Sequence, residues 1–290
     1  MNWEQTIHTG QGVLESAGIS EARTNAEFLA LAVLGSWSRA ELRAILTAEP
    51  TTIQKTLFDS YISRRSSHQP LQHIIGETEF FGLRFFVSPA ALIPRPDTEI
   101  LVEEVLKEVS LMPSSELTIL DVGTGSGIIP LALASQLPDA TIIGIDISEA
   151  AINLSMRNKQ RLESENVSFF VMNVLGDEVI TEYKSKIDIL ASNPPYLSID
   201  ELALVDSEVR DFDPRIALTD GADGFRFYHR LSEIGRLLLR PRGKIIVEIG
   251  FGMSAEVRRI FENSGYHVAR VVSDLLGIER VIVLLIDQPH

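Results

Sequence analysis

The first 75 residues carry apolar side chains at helical spacing. One such pattern extends from Trp3 to Leu14 and stops at Gly18, a residue type that commonly ends helices. Further apolar stripes follow, each preceded by a candidate N-cap, two of them with the spacing of a capping box: Ser20, Ser38 with Glu41, and Thr51 with Gln54. The pattern predicts a small all-α bundle over residues 1–75. No catalytic cluster falls in this stretch, so its expected role beyond stability is to bind a partner.

Between residues 76 and 91 the helical spacing gives way to aromatic and β-branched residues around Gly82: Phe80, Phe81, Leu83, Phe85, Phe86 and Val87. This composition predicts a short β-hairpin that links two domains. Two prolines then force an extended chain, and Asp97 or Thr98 is predicted to cap the helix that follows. Arg95, between the prolines, fits an exposed linker or a charged contact in a cleft, and the cleft is the favoured interpretation.

From about residue 117 the pattern alternates between strand-like and helical runs. The candidate strands are Leu117–Val122, Thr141–Asp146, Val167–Met172, Ile187–Ala191, Lys244–Ile249, Val268–Val272 and Arg280–Leu285, with helices beginning near Gly125, Ser148, Ser198, Gly224 and Ser254. This order predicts an α/β fold over residues 92–290, a doubly wound and mostly parallel seven-stranded sheet with right-handed crossovers. Only residues 273–279 separate the last two strands, which are therefore predicted to form an antiparallel hairpin at one edge.

Composition narrows the function classes. The chain of 290 residues is 45% hydrophobic and 23% charged, has no cysteine, and has a net charge of −14. That charge argues against a large nucleic-acid footprint, because phosphate neutralisation needs clustered Lys and Arg. Thiolate sites are excluded, the histidines show no ligand spacing, and no metal is expected. No apolar run approaches the ~20 residues that span a bilayer, and the first residues lack the basic start and apolar core that are typical of a signal peptide. A cytoplasmic protein without membrane contact is expected.

The first predicted strand of the sheet ends in Asp121-Val122-Gly123-Thr124-Gly125-Ser126-Gly127, followed by the predicted helix Ile128–Gln136. Glycines at alternate positions allow a tight turn and let a ligand approach bare backbone at a helix N-terminus. The spacing differs from that of the dinucleotide fingerprint, whose last two glycines stand three apart. Asp146 ends the second strand, where an acid can accept both ribose hydroxyls of an adenosine. The alternative interpretation is a plain glycine turn.

A second motif, Asn193-Pro194-Pro195-Tyr196, follows the fourth strand. Prolines cannot continue a central strand, so the backbone carbonyls here lack ladder partners. Asn193 adds a side-chain acceptor and Tyr196 a flat ring. These groups suit a planar NH2 group, although a Pro-rich loop that merely ends a strand fits as well. In a parallel sheet, ligands bind outside the carboxyl ends of the strands, so both motifs are predicted to face one another.

The motif Asp-x-Gly-x-Gly-x-Gly with Asp146 resembles the S-adenosylmethionine-dependent methyltransferases, and Asn193–Tyr196 resembles the subgroup that methylates planar NH2 nitrogens. Further segments resemble the release-factor glutamine methyltransferase family (HemK/PrmC): Leu92–Glu99, Phe212–Arg215 with Ala217 and Leu218, Val247–Gly250, and Gly277–Val281. The resemblance covers nearly the whole chain, although the helical part matches only in layout.

The resemblance implies methyl transfer to the amide nitrogen of the glutamine in the Gly-Gly-Gln loop of peptide chain release factors. The implied cofactor-binding residues are Asp121, Gly123, Thr124, Gly125, Ser126, Gly127, Asp146, Asn173, Val174 and Asn193. Asp121 would meet the methionine ammonium. Asn193, Pro194, Pro195 and Tyr196 are implied to bind the substrate, with Asn193, Pro194 and Tyr196 catalytic. Asn173-Val174 departs from the Asp-Trp pair of many relatives, so stacking on the adenine is lost.

The substrate class allows alternatives. An amide nitrogen of another protein, such as a ribosomal protein, or an exocyclic amine of a DNA or RNA base presents the same NH2 group. A base methyltransferase should carry a basic groove for the extruded base, which this acidic chain lacks in any obvious form. A non-enzymatic cofactor sensor with a decayed site is a further alternative, against which the complete glycine motif, Asp146 and Asn193–Tyr196 argue.

Overall fold

The computed structural model describes residues 1–112 and 116–286. Its helices are α1 (Trp3–Ser16), α2 (Ala22–Leu34), α3 (Arg39–Ile45), α4 (Thr52–Ser66), α5 (Leu71–Ile75), α6 (Thr98–Ser110), α7 (Ile128–Gln136), α8 (Glu149–Arg161), α9 (Glu178–Tyr183), α10 (Ile199–Leu202), α11 (Ser207–Phe212), α12 (Arg215–Leu218), α13 (Arg226–Leu238) and α14 (Ser254–Asn263). Its strands are β1 (Glu77–Phe80), β2 (Leu83–Phe86), β3 (Thr118–Val122), β4 (Thr141–Asp146), β5 (Val167–Val171), β6 (Ile187–Ser192), β7 (Leu239–Glu248), β8 (Tyr266–Ser273) and β9 (Glu279–Ile286). The chain divides into two compact units, residues 1–77 with 206–212, and residues 78–205 with 213 onward.

The first unit contains α1 to α5 and α11. Its core is formed by buried side chains that include Trp3, Ile7, Leu14, Leu29 and Phe58. Sequence patterning does not indicate that residues 206–212 belong here. The reason is a buried guanidinium: Arg65 donates hydrogen bonds to Asn25 Oδ1 at 2.8 Å and to Glu208 Oε1 at 2.6 Å.

Not all of the helix N-caps predicted for this unit are present in the structure. Thr51 and Gln54 form the predicted capping box at α4. Ser38 accepts from the Glu41 backbone N–H, but the Glu41 carboxylate accepts from the Ser36 hydroxyl instead of completing the box. The prediction for Ser20 is wrong, because α2 begins after Glu21, which has φ 49° and makes no side-chain cap.

The second unit contains a seven-stranded sheet in the order β5-β4-β3-β6-β7-β9-β8. Strands β3 to β7 are parallel, and β9 is antiparallel to both β7 and β8. The predicted doubly wound sheet and its antiparallel edge hairpin are therefore confirmed. Two clusters of buried apolar side chains cover its two faces. Among the described residues, no helix combines the length and apolar character needed to cross a membrane.

The predicted hairpin before the sheet is confirmed as β1 and β2, which are joined by Phe81 and Gly82. Both turn residues have positive φ, 52° and 72°, as a tight two-residue hairpin turn requires. Asp97 precedes α6 but makes no side-chain cap there, so the capping prediction for Asp97 is wrong. Its carboxylate pairs with Arg280 at 2.9 Å instead.

Candidate active site

Two loops of the second unit meet where strand order reverses. Strands β3 and β6 pair in parallel, with Val122 opposite Ser192, and the Ser192 hydroxyl donates to the Val122 carbonyl at 2.8 Å. The chain continues from β3 into the glycine loop and from β6 into Asn193. A Cβ atom added to Gly123 would lie 3.9 Å from the Asn193 carbonyl oxygen. The predicted adjacency of the two motifs is thus present.

A cavity of about 270 Å³ opens between these loops. The sequence-predicted site residues that line it are Gly123, Thr124, Gly125, Ser126, Asp146, Asn173, Val174, Asn193, Pro194 and Pro195. Asp121, Gly127 and Tyr196 lie outside the lining set. In the part of the chain that the structure describes, no group of three or more His, Asp or Glu side chains is suited to a metal ion.

The glycine loop is tied to Asp146 through backbone N–H groups. Gly125 N–H donates to Asp146 Oδ2 and Ser148 N–H donates to Oδ1, both at 2.9 Å. Burial raises the pKa of Asp146, and these hydrogen bonds oppose that shift. Each carboxylate oxygen keeps a lone pair that can accept from a ligand, so Asp146 can receive two neighbouring hydroxyls.

Asp121 is fully buried beneath this loop. Neither of its carboxylate oxygens has a hydrogen-bond partner among the described residues, and the same holds for the hydroxyl oxygen of Thr124. Thr124 is close enough to lower the pKa of Asp121, but burial outweighs it and raises that pKa to about 7, with Asp146 adding repulsion. An unpartnered buried carboxylate next to a cavity attracts a cation strongly, because the surrounding dielectric is low.

Gly127 serves packing rather than ligand contact. It caps α7 with φ 81°, and an added Cβ would lie 2.8 Å from the Phe169 ring and 2.9 Å from Ser155 Cβ. Only glycine lets α7 and β5 approach this closely. A substitution at Gly127 would therefore act on the fold first.

At another part of the cavity wall, Asn173 accepts a hydrogen bond from the Leu175 N–H at 3.0 Å through its side-chain oxygen. Its NH2 group is the part of the carboxamide that can still donate to a ligand, such as a ring nitrogen of adenine. Val174 is buried, and its carbonyl accepts from Arg230 at 2.8 Å. Val174 therefore makes this part of the cavity wall aliphatic, and the hydrogen bond from Arg230 holds its backbone in place.

Asn193 and Pro194 supply acceptors at the opposite wall. Within the described residues, no backbone N–H outside the helices and strands donates to either backbone carbonyl. The Asn193 side-chain Nδ2 donates to the Thr98 hydroxyl at 3.1 Å, which leaves Oδ1 as the outward acceptor. The residues therefore present acceptors without donors, as a guest NH2 group requires.

The Tyr196 ring packs away from the lining set. An added Cβ on Gly250 would lie 2.9 Å from this ring, and the ring packs against the sheet core. Burial and the nearby Glu248 raise the pKa of Tyr196 to about 12, so the phenol is neutral. The stacking role of Tyr196 stays a prediction.

The Tyr196 backbone depends on Gly224, which has φ 88° and whose added Cβ would lie 2.3 Å from the Tyr196 carbonyl oxygen. We expect Gly224→Ala to lower the free energy of unfolding by about 2–4 kcal/mol, from left-handed strain plus the clash. Gly221→Ala is the matched control, with φ 78° but open space around the added Cβ, and it should cost only about 1–2 kcal/mol. Urea denaturation measures both, and equal losses would contradict the close approach.

Several residues at this site escaped sequence reasoning. Thr98 and Glu248 lie behind Asn193, and the signal that could have found Glu248 is a carboxylate in an apolar strand.

Arg95 lines the cavity and pairs with the buried Asp213 at 3.0 Å, so its cleft interpretation is confirmed. Asp213 also accepts from the Ile93 N–H at 3.4 Å, which holds the Pro-rich segment against the cavity.

Comparisons with known proteins agree with this geometry. A family model described as a methyltransferase domain matches residues 113–263, and one described as the PrmC N-terminal domain matches residues 5–76. The chain is 36% identical over 275 residues to the release factor glutamine methyltransferase of Geobacter sulfurreducens, a match that covers 94% of this chain and 92% of that one. It is 39% identical over 222 residues to the protein of the same name from Fusobacterium nucleatum, covering 77% of this chain and 61% of the relative.

Among solved structures, a methyltransferase from Pyrococcus furiosus is similar with a TM-score of 0.51 at 16% identity. That likeness covers 71% of this chain and 90% of the other, and it shows the fold alone.

Proposed function

This chain belongs to the release factor glutamine methyltransferase family, and we propose on that premise that it transfers a methyl group from S-adenosylmethionine to the side-chain amide nitrogen (N5) of the glutamine in the Gly-Gly-Gln motif of peptide chain release factors. The observation that carries the proposal is the juxtaposition of two unlike loops. The glycine loop with Asp146 lies beside an acceptor-only surface at Asn193 and Pro194.

The residues present fit the proposed cofactor. The orphaned carboxylate of Asp121 supplies negative charge for an ammonium, Asp146 offers acceptors for ribose hydroxyls, and Asn173 keeps a donor for adenine. The adenosine cradle is completed by the backbone of Gly123–Ser126 and by Val174. When bound, S-adenosylmethionine supplies an electrophilic methyl group on a sulfonium.

The chain's contribution to the reaction is positioning. An amide nitrogen is a poor nucleophile because its lone pair is delocalised into the carbonyl. Two hydrogen bonds, from the NH2 to Asn193 Oδ1 and to the Pro194 carbonyl oxygen, would favour a pyramidal nitrogen and direct its lone pair across the cavity. Good in-line orientation contributes about 7–11 kcal/mol relative to free reactants. No strong base is required before attack, since the nitrogen becomes acidic only as the methyl arrives.

The walls around the guest complete this arrangement. Pro195 lines the cavity beside the acceptors and would limit the tilt of the amide plane. Tyr196, packed under the loop, would hold the backbone that carries these acceptors, and stacking on the amide is its proposed additional role. Neutral Tyr196 adds no charge to the site.

Charge at the cavity favours a protein guest over a nucleobase. Among the described residues that line it, the cationic side chains are Arg95 and Arg226, against the anionic Asp146 and Asp220. Arg95 is already paired with Asp213. A base methyltransferase needs a continuous basic track for phosphates. We therefore place another protein glutamine, for example in a ribosomal protein, ahead of a DNA or RNA base as the alternative substrate.

The same proposal extends to the rest of the chain. Residues 1–75 would act in recognition of the substrate protein, residues 76–91 as a linker, and residues 92–290 as the methyltransferase domain. The partners are peptide chain release factors, without direct contact to nucleic acid, membrane or metal. Because the proposed substrate works in translation termination, the enzyme would act in the cytoplasm.

A label-partition experiment tests the substrate class. The protein is incubated with cofactor labelled on the methyl group and a mixture of release factors, ribosomal proteins, DNA and RNA. The label is expected on the release factors. Label on DNA or RNA would overturn the proposal, and label confined to a ribosomal protein would overturn the choice of substrate.

A further inference from the structure

Behind the Asn193 carboxamide lie two polar side chains that come from distant segments. Its Nδ2 donates to Oγ1 of Thr98, the first residue of α6, at 3.1 Å. Glu248 is the last residue of β7, and its carboxylate lies close enough to the side chains of Thr98 and Asn193 for both to lower its pKa. Thr98 and Glu248 are 1% and 3% exposed. Together the three side chains form one largely buried polar cluster.

Resting on the proposed function, we propose that Glu248 and Thr98 are positioning residues, which orient the Asn193 carboxamide so that Oδ1 faces the substrate amide. A carboxamide can rotate by half a turn and exchange its oxygen and its NH2 group. The groups behind Asn193 are the Thr98 hydroxyl, which accepts from Nδ2 at 3.1 Å, and the nearby Glu248 carboxylate. The negative charge of that carboxylate attracts the NH2 group and repels Oδ1, so Nδ2 points toward it and Oδ1 toward the cavity.

The wrong orientation would disable the cradle. An outward NH2 on Asn193 would oppose the NH2 of a guest glutamine, two donors facing each other with no acceptor between them. The guest nitrogen would then keep only the Pro194 carbonyl as an acceptor. Orientation of one carboxamide thus separates a site that aims the nucleophile from one that repels it.

Glu248 is poorly placed to serve the stability of the fold. Burial and the nearby Asp97 raise the pKa of Glu248 to about 7, although Thr98, Arg280 and Asn193 lower it. Its Oε2 atom has no hydrogen-bond partner among the described residues. The neighbouring Tyr228 hydroxyl donates to the backbone carbonyl of Glu248 rather than to the carboxylate. An apolar side chain of similar length would stabilise this position better.

Glu248→Met therefore separates a role in orienting Asn193 from a role in stabilising the fold. Met has similar length but accepts no strong hydrogen bond, so the inference predicts a higher melting temperature at pH 8 together with a kcat lower on the order of 100-fold. The KM for the release factor should change little. Glu248→Gln keeps a carbonyl acceptor near the Asn193 NH2 group, and it should retain most of the turnover that Glu248→Met loses.

Thr98 gives a second, independent pair of variants. Thr98→Val removes the hydroxyl at nearly constant shape and should lower kcat, whereas Thr98→Ser keeps the hydroxyl and should restore it. The matched control is Glu108→Gln, since Glu108 is a buried glutamate on α6 that pairs with Lys244 and lies outside the cavity lining. It should lower stability and leave kcat unchanged.

A direct readout needs neither cofactor nor substrate. The side-chain NH2 signals of Asn193 are identified by NMR from their loss in Asn193→Asp. In the wild type these protons should exchange slowly with solvent, and in Glu248→Met and Thr98→Val they should exchange fast. Slow exchange and full turnover in both variants would overturn the inference. This measurement is made on the free protein, so its failure is distinguishable from failure of the proposed function.

Discussion

Asn193→Asp is expected to lower the single-turnover rate of methyl transfer on the order of 1,000-fold while leaving cofactor affinity nearly intact. The substitution keeps one acceptor oxygen but replaces the NH2 group that donates to Thr98 by a second oxygen. A carboxylate at this position would also face the buried carboxylate of Glu248. Loss of one preorganised polar group in an active site commonly costs about 100- to 1,000-fold, and here orientation is lost with it.

Rapid-quench kinetics with labelled cofactor measures the rate, and calorimetry measures cofactor binding. Asn166→Asp is the matched control, because the Asn166 NH2 group donates to the Leu137 and Ala140 carbonyls, outside the cavity lining. It should cost stability without affecting the rate. Turnover of Asn193→Asp close to that of the wild type would remove Asn193 from the cradle.

Asp121→Asn is expected to stabilise the protein at pH 8 and to weaken cofactor binding. Burial raises the folded-state pKa of Asp121 from 3.8 to about 7. The folded state therefore holds its proton more tightly than the unfolded state, and stability falls as pH rises from about 4 through about 7. A difference of about 3 pKa units corresponds to about 4 kcal/mol, which is the upper limit of the gain from Asn at pH 8.

Urea denaturation at pH 5 and pH 8 tests this prediction, and the gain should be larger at pH 8. Asp188→Asn is the matched control, since Asp188 accepts from the Thr118 N–H and from Arg240. Loss of the Asp188 charge should lower the free energy of unfolding. Removing the Asp121 charge should also weaken cofactor binding on the order of tenfold, as expected for about 1.4 kcal/mol of lost attraction. A variant that is less stable at pH 8, with unchanged cofactor affinity, would contradict the assigned electrostatics.

The sheet and its two motifs were predictable because local pattern and tertiary structure agree there. The predicted helix after the glycine loop, Ile128–Gln136, has the observed bounds, and β4 also coincides with its predicted range. Apolar runs bounded by glycine turns leave few alternatives to buried parallel strands. Adjacency of β3 and β6 then follows from the topology of doubly wound sheets.

The structural features that the sequence pattern did not predict depend on contacts between distant segments. Asp97 has the residue type of a cap, but its ion pair with Arg280 takes the carboxylate elsewhere. Residues 198–225 fold into the short helices α10, α11 and α12, which are too brief for a periodic signal. The cluster of Glu248, Thr98 and Asn193 brings together three segments, and no one of these segments indicates the other two.

Packing rather than residue type sets the position of the Tyr196 ring. Its ring is conspicuous in the sequence as a stacking surface, yet the close approach of Gly250 and Gly224 draws the residue against the sheet core. The ring fits there because Gly224 and Gly250 have no side chains. Both glycines lie more than twenty residues from Tyr196 in the sequence, so the motif itself does not indicate this position. Residue type thus predicts the chemistry available, whereas packing decides which atoms reach the cavity.

The most direct test of the account is to locate the transferred methyl group. An intact release factor is incubated with the protein and S-adenosylmethionine, digested, and analysed by tandem mass spectrometry, with Asn193→Asp as the parallel reaction. A single added methyl is expected on the side-chain nitrogen of the glutamine in the Gly-Gly-Gln motif, and it should be absent from the variant reaction. A methyl on another residue, or an equal yield with Asn193→Asp, would contradict it.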